Sequence, residues 1–168
     1  MKIPVVNEQD QIIMHKERDD ITLGDIFRIT AIWITDKEGN ILLAQRSFSK
    51  KSNPGKWGPA VAGTVEEGES YEENAYKELK EEIGLEGLTL APVRKILYTS
   101  NTGIKYCYIF NLVIDKNTKL EIQKEEVEQT KWFSKEELKD KLLNQPEDFV
   151  QALVLLKEFF SGINENQS

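Results

Sequence analysis

Glu78, Glu81 and Glu82 are the residues whose type and spacing could do chemistry. Glu78 and Glu82 stand four apart and Glu81 three from Glu78. On a helix all three then fall within roughly a 100° arc, at about 100° per residue. They border an apolar stripe of Ala75, Leu79 and Ile83 instead of lying opposite it. Like charges at this spacing destabilise a bare helix by roughly a few tenths of a kcal/mol per pair. A hard cation held by their oxygens reverses that sign. Mg²⁺ is the natural candidate, with Mn²⁺ the alternative, because it takes carboxylate oxygens and keeps waters that substrate phosphates can replace. Eight of the residues from Glu66 to Glu82 are glutamate, and most acidic helices are only solvated faces. The convergence of three carboxylates beside a buried stripe sets this run apart. In the loop before it, Gly58, Gly63 and Gly68 allow tight turns and close approach of a ligand. The backbone carbonyl of Gly63 can add an oxygen ligand.

The elements that must position these residues are also legible. Ser70 is a good N-cap, Glu73 sits at the reciprocal position three residues on, and Gly84 suits a left-handed end, so the spacing predicts a helix over 71–83. Pro4–Asn7 and Ile12–Lys16 read as strands around a polar turn. Phe27–Thr35 and Ile41–Arg46 read as a hairpin across DKEGN. Pro54-Gly55 marks a turn in the polar loop 47–56, and Trp57–Val65 is short and apolar. Thr89–Thr99 and Ile104–Ile114 read as two more strands. In the second, Ile104, Tyr106, Tyr108, Phe110, Leu112 and Ile114 predict one apolar face, with Cys107 a small residue on the other. Glu128–Phe133 reads as a strand, and Ser134 with Glu137 as a capping box opening a helix. A last helix is expected from Pro146, with Phe149, Leu153, Leu156 and Phe160 in one stripe and a stop at Gly162. The sum is a mixed sheet with single helices along the chain, of α/β (α+β) class.

With 168 residues and no composition break, one domain over residues 1–168 is expected. The net charge of −7 argues against an extended nucleic-acid surface, since phosphate-backbone binding relies on Lys and Arg. It leaves room for a small phosphorylated substrate whose charge a cation offsets locally. No run reaches membrane-spanning length, and the N-terminus turns polar too soon for a signal peptide. One cysteine is compatible with a reducing cytoplasm, the expected location.

The stretch GTVEEGESYEENAYKELKEEIGL resembles the Nudix box, G-x5-E-x7-R-E-U-x-E-E-x-G-U with U a bulky aliphatic. Gly63, Glu69, Glu78, Leu79, Glu81, Glu82, Gly84 and Leu85 match, eight of nine specified positions over 23 residues. ILLAQRS, PGKW and WFSKEEL resemble the family's flanks, so the likeness spans about residues 27–140, with an N-terminal hairpin and C-terminal helix outside it. It implies a Nudix α/β/α sandwich with a mixed β-sheet and Mg-dependent hydrolysis of a diphosphate bond. Glu78 and Glu82 would be the leading metal ligands and Glu81 the third, with a general base among the carboxylates. Glu66, Glu67 and Glu69 are further candidates in the loop. Lys77 replaces the box arginine that orients the glutamates. It keeps the charge, loses the two-pronged geometry, and is expected to pair with Glu81 or Glu73. Lys77 and Glu69 are thus structural, orienting positions.

Arg46 and Arg28 are candidate phosphate contacts, with Lys50, Lys51 and Lys56 nearby in the loop, and Trp57 is a candidate to stack on the substrate. The flanks most resemble the branch related to isopentenyl-diphosphate isomerase. That chemistry needs a cysteine, whose position falls at Val61, and a histidine-rich metal site, which one histidine, His15, cannot build. An isomerase-like protein and a non-catalytic Nudix ligand-binding domain stand as alternatives. The expected partner is a small-molecule diphosphate, nucleoside-linked by default, with neither nucleic acid nor membrane; a homodimer is in keeping with the family.

Overall fold

The structure, a computed structural model, describes residues 1–162. Its centre is β3 (Ile26–Thr35), a run apolar on both faces, as a strand covered on both sides must be. On one side β3 pairs in parallel with β8 (Gly103–Val113) along its whole length. On the other it meets three antiparallel strands in succession: β1 (Lys2–Val6), β6 (Val61–Thr64) and β4 (Ile41–Arg46). β2 (Ile12–Glu17) extends β1, β7 (Ala91–Ser100) extends β8, and β5 (Trp57–Pro59) and β9 (Val127–Phe133) flank β4.

Helix α1 (Tyr71–Ile83) covers one face, packing Ala75, Leu79 and Ile83 onto Ile32, Ile34, Val61 and Phe110. Full burial of Leu79 and Ile83 contributes about 1.5–3 kcal/mol each. The opposite face carries α2 (Lys135–Asn144), α3 (Gln151–Leu155) and α4 (Lys157–Gly162), which bury Leu138, Leu142, Leu153 and Phe160 with Trp33, Ile109 and Phe133. Phe160 stacks on Trp33 at 4.5 Å between ring centroids. This is the α/β/α sandwich with a mixed sheet. Among the described residues no helix is long and apolar enough to cross a membrane.

Helix α1 forms over the span its caps predict. Ser70 accepts from the Glu73 N–H, Glu73 accepts from the Ser70 N–H, and Gly84 ends the helix at φ 74°. Elsewhere the structure corrects the sequence pattern. The β3–β4 hairpin pairs only at Ile34–Leu42 and Thr35–Ile41, because β4 then diverges to β5 and β9. The second face of β8 is buried too, since β8 lies between β3 and β7 with helices on both sides; Lys105, Cys107, Ile109 and Asn111 point into it. Ser134 caps α2, but the Glu137 carboxylate turns to Lys131 at 3.0 Å and leaves the capping box half made.

The expected last helix is broken. A 3₁₀ turn at Pro146–Asp148 gives way to extended backbone at Phe149 and Val150. The Val150 N–H donates to the Trp57 carbonyl at 2.8 Å, so this segment satisfies an edge group of β5 before α3 begins. Helix α4 is described as far as Gly162, the expected stop, and the residues after it that would show whether the helix ends there lie outside the described residues.

Candidate active site

The site is built where α1 closes the open edge of β6. Among the described residues β6 pairs only with β3, so alternate backbone groups along it face outward. Thr64 and Ala62 are the outward residues. The Asn74 amide donates to the Thr64 carbonyl at 3.0 Å, and the Ala62 N–H donates to the Glu82 carboxylate at 3.2 Å. Gly63, between them, turns its peptide groups toward Thr30 of β3. The outward carbonyl beside the glutamates is therefore that of Ala62, which corrects the expectation of a Gly63 oxygen ligand. Gly63 supplies room instead: a Cβ there would lie 2.2 Å from Cδ of Glu78. Its missing side chain lets the Glu78 carboxylate lie against the strand.

Glu82 is only 8% exposed and Glu78 is half-buried. Burial, then the neighbouring Glu78 charge, pushes the Glu82 carboxyl up to about 8. Burial likewise pushes Glu78 up to about 7, with Glu81 and Glu126 adding to the shift and Lys77 opposing it. Two adjacent carboxyls so raised lack compensating positive charge. Glu81 is exposed at the rim. Glu126, just before β9, faces the same cavity and is held by Lys50 at 2.5 Å. The sequence reading missed Glu126; it lies in the acidic stretch KEEVE, where nothing local distinguishes it.

Lys77 does not reach Glu81 or Glu73. Its ammonium binds Glu69 at 2.5 Å and Glu66 at 2.9 Å. Glu69 is a ready partner because the Glu66 N–H and the Asn74 amide already fix it. Lys77 thus ties the glycine-punctuated loop to the helix, and acts on Glu78 only through its field.

These carboxylates rim one end of a cavity of about 560 Å³ on the side of the sheet opposite α1. Arg46 lines it, near enough to Glu82 and Glu126 to feel their charge. Arg28 and Trp57 do not line it. The Arg28 guanidinium is committed to Asp10, at 2.7 Å from its carboxylate and 2.6 Å from its carbonyl. Trp57 packs edge-on against Phe133 in the core below α2 and α3. Both placements run against their expected roles in substrate binding.

Among the described residues, no three His, Cys, Asp or Glu side chains converge into a ready-made metal site. The donor set still fits Mg²⁺ or Mn²⁺. Such ions are usually held by one or two carboxylates plus substrate phosphates, not by an all-protein cage. Glu78, half-buried, and Glu82, buried, are neighbouring oxygen donors whose carboxyls are both raised despite the nearby Lys77 and Arg46.

A NUDIX domain model matches residues 26–153. The chain belongs to the Nudix family. An uncharacterized Nudix hydrolase of Yersinia pestis is 28% identical over 154 residues, 91% of this chain and 84% of that one. An isopentenyl-diphosphate Delta-isomerase of Salmonella typhi is 30% identical over 129 residues, 73% of this chain and 70% of that one. Among solved structures, DR0079 of Deinococcus radiodurans superposes with a TM-score of 0.83 at 22% identity, covering 98% of this chain and 99% of that one. Val61 is a fully packed core residue. Cys107 is 3% exposed, and burial pushes its thiol up to about 12, far from a reactive thiolate. His15 is on β2, 3.7 Å from Glu67 and off the cavity lining.

Proposed function

We propose that this Nudix protein is a divalent-metal-dependent hydrolase that cleaves the diphosphate bond of a small organic diphosphate, nucleoside-linked by default. The observation that carries the reading is the pair of buried Glu82 and half-buried Glu78, together at one end of an open cavity with both carboxyls raised. Mg²⁺ or Mn²⁺, when bound, neutralises phosphate charge and makes a bound water more acidic.

The chain's own residues do the rest. Glu78 and Glu82 hold the ion, with Glu81 the third carboxylate at the rim. The Ala62 N–H fixes the Glu82 carboxylate, and Gly63 leaves space for Glu78. Arg46 reaches phosphate oxygens from the cavity wall. The general base is one of the carboxylates on the cavity, Glu78, Glu81, Glu82 or Glu126. A Mg²⁺-dependent hydrolysis screen over nucleoside triphosphates, nucleotide sugars, dinucleotides and isoprenoid diphosphates tests this, with Glu82→Gln alongside. Turnover by the wild type and not by Glu82→Gln is expected. Equal turnover by both would overturn the role of Glu82. Conversion of isopentenyl to dimethylallyl diphosphate without hydrolysis would overturn the reaction class.

A further inference from the structure

The other end of the same cavity holds a charged side chain that the hydrolytic reading does not use. Lys105, near the start of β8, is 9% exposed and lines the cavity. Its ammonium donates to the Thr102 hydroxyl and lies 3.4 Å from that of Ser100. It also sits over the rings of Phe27 and Tyr98, 5.5 and 6.0 Å from their centroids. Among the described residues no carboxylate is within ion-pair distance of it.

Burying an ammonium without a counter-charge costs several kcal/mol in order of magnitude, and neutral hydroxyls and ring faces offset only part of that. Burial accordingly pushes Lys105 down to about 8, which leaves it mostly charged near neutrality. Its other charged neighbours do not help: Arg46 has the same sign, and the buried Cys107 thiol stays protonated. With two of its three donors directed at hydroxyls, one N–H remains. The Ser100 and Thr102 hydroxyls are hydrogen-bonded to each other at 3.0 Å, so one O–H is used between them and the other can turn to donate to an anion alongside the ammonium.

The sheet register sets the spacing. Lys105 pairs with Phe27, and Ala62, the acidic-end residue, pairs with Ala31 across the other edge of β3. Four residues along a strand and two strand spacings place Ala62 and Lys105 about 16 Å apart. That separation suits a sugar or nucleoside attached to a diphosphate.

We infer that the Lys105 end of the cavity is a receptor for an oxyanion, carboxylate or phosphate, carried on the organic moiety of the substrate at the end remote from the diphosphate. The inference rests on the proposed hydrolase reading for its substrate but not for its anion. It follows that the substrate carries a second anionic group.

The first test needs no metal and no substrate. The full chain is labelled with ¹⁵N-lysine, and the Lys105 Nζ signal is assigned by its loss in Lys105→Met or, should that variant fold poorly, in Lys105→Arg. Inorganic phosphate and acetate are titrated separately. A saturable shift of the Lys105 signal with one of them, absent from surface lysines, is expected, and which ion acts tells phosphate from carboxylate. A Lys105 signal that moves no more than surface lysines with either ion overturns the receptor.

The second test compares matched pairs under Mg²⁺: UDP-glucuronate with UDP-glucose for carboxylate, and coenzyme A with dephospho-coenzyme A for phosphate. At least ten-fold higher kcat/KM for the anionic member of one pair is expected. Lys105→Met should lower kcat/KM for that member at least ten-fold more than for its neutral partner. Ion binding at Lys105 without any turnover would sink the hydrolase reading and keep the receptor. Turnover with an unresponsive Lys105 would do the reverse.

Discussion

The two ends of the cavity are made in opposite ways. The acidic end draws Glu78, Glu81 and Glu82 from a single helix, within five residues of sequence. The other end sets one lysine from β8 against hydroxyls from the end of β7 and the turn that leads into β8, and against aromatic rings from β3 and β7. At the first end burial, with like charges nearby, raises Glu78 and Glu82; at the second a lone charge is stripped of water with no counter-charge among the described residues. Both arrangements would improve with a ligand of opposite sign. Uncompensated buried charge of both signs, at two ends of one cavity, is what a site for a metal-bound, doubly anionic ligand requires.

Breaking the acidic end should have the largest effect. Glu82→Gln removes a charge that the Ala62 N–H already orients. A loss of kcat by roughly 10²–10³, about 3–4 kcal/mol of transition-state stabilisation, is expected in steady-state assays, with the far-UV circular dichroism unchanged. Gly63→Ala probes the same end sterically. The added methyl meets Cδ and Cγ of Glu78, so the carboxylate must swing away from β6. Stability should fall by about 1–3 kcal/mol in urea titrations, while activity drops by roughly 10²-fold. If activity survives this change, Glu78 does not act from its present position.

Stability against pH sharpens the comparison next. Glu78 and Glu82 have folded pKa values raised above the ordinary carboxylate value, so the folded chain binds more protons than the unfolded chain from about pH 4.5 to 8. Their contribution to stability is therefore lost as pH rises through that window. Without metal, Tm should fall by roughly 5 °C between pH 5 and pH 8, and Mg²⁺ should restore it most at pH 8. Asp10 and Glu69, whose carboxyls are lowered, act in the opposite sense and only below about pH 4. A Tm flat across pH 5–8 would mean that the acidic pair is not strained. Smaller effects come from residues further out. Glu126→Gln should relieve some repulsion yet lower kcat by about ten-fold. Lys77→Arg should change kcat by less than about three-fold, because Lys77 holds Glu66 and Glu69 and not the proposed metal ligands.

The same contrast explains what could be read from the sequence. Helix α1 is specified locally, by Ser70, Glu73, Gly84 and a four-residue apolar repeat, so its limits and carboxylate face were legible. The strands were legible as runs, but their partners were not. Nothing in Phe27–Thr35 says that it will lie between β8 and three other strands, and so nothing local marks the second face of β8 as buried. Lys105 was hidden for that reason, as an ordinary polar alternation between Ile104 and Tyr106. Glu126 and the outward Ala62 peptide depend on tertiary pairing and leave no local mark. The break at Phe149–Val150 follows from a bridge to Trp57, distant in sequence, that overrides a good helical stripe.

The most direct test of the acidic end is to titrate Mn²⁺ into the full chain, without substrate, and follow the free ion by electron paramagnetic resonance. Saturable Mn²⁺ binding by the wild type that Mg²⁺ displaces is expected, with at least ten-fold weaker binding by Glu82→Gln and by Glu78→Gln. Equal binding by the wild type and both variants would contradict the claim that this buried pair holds the metal.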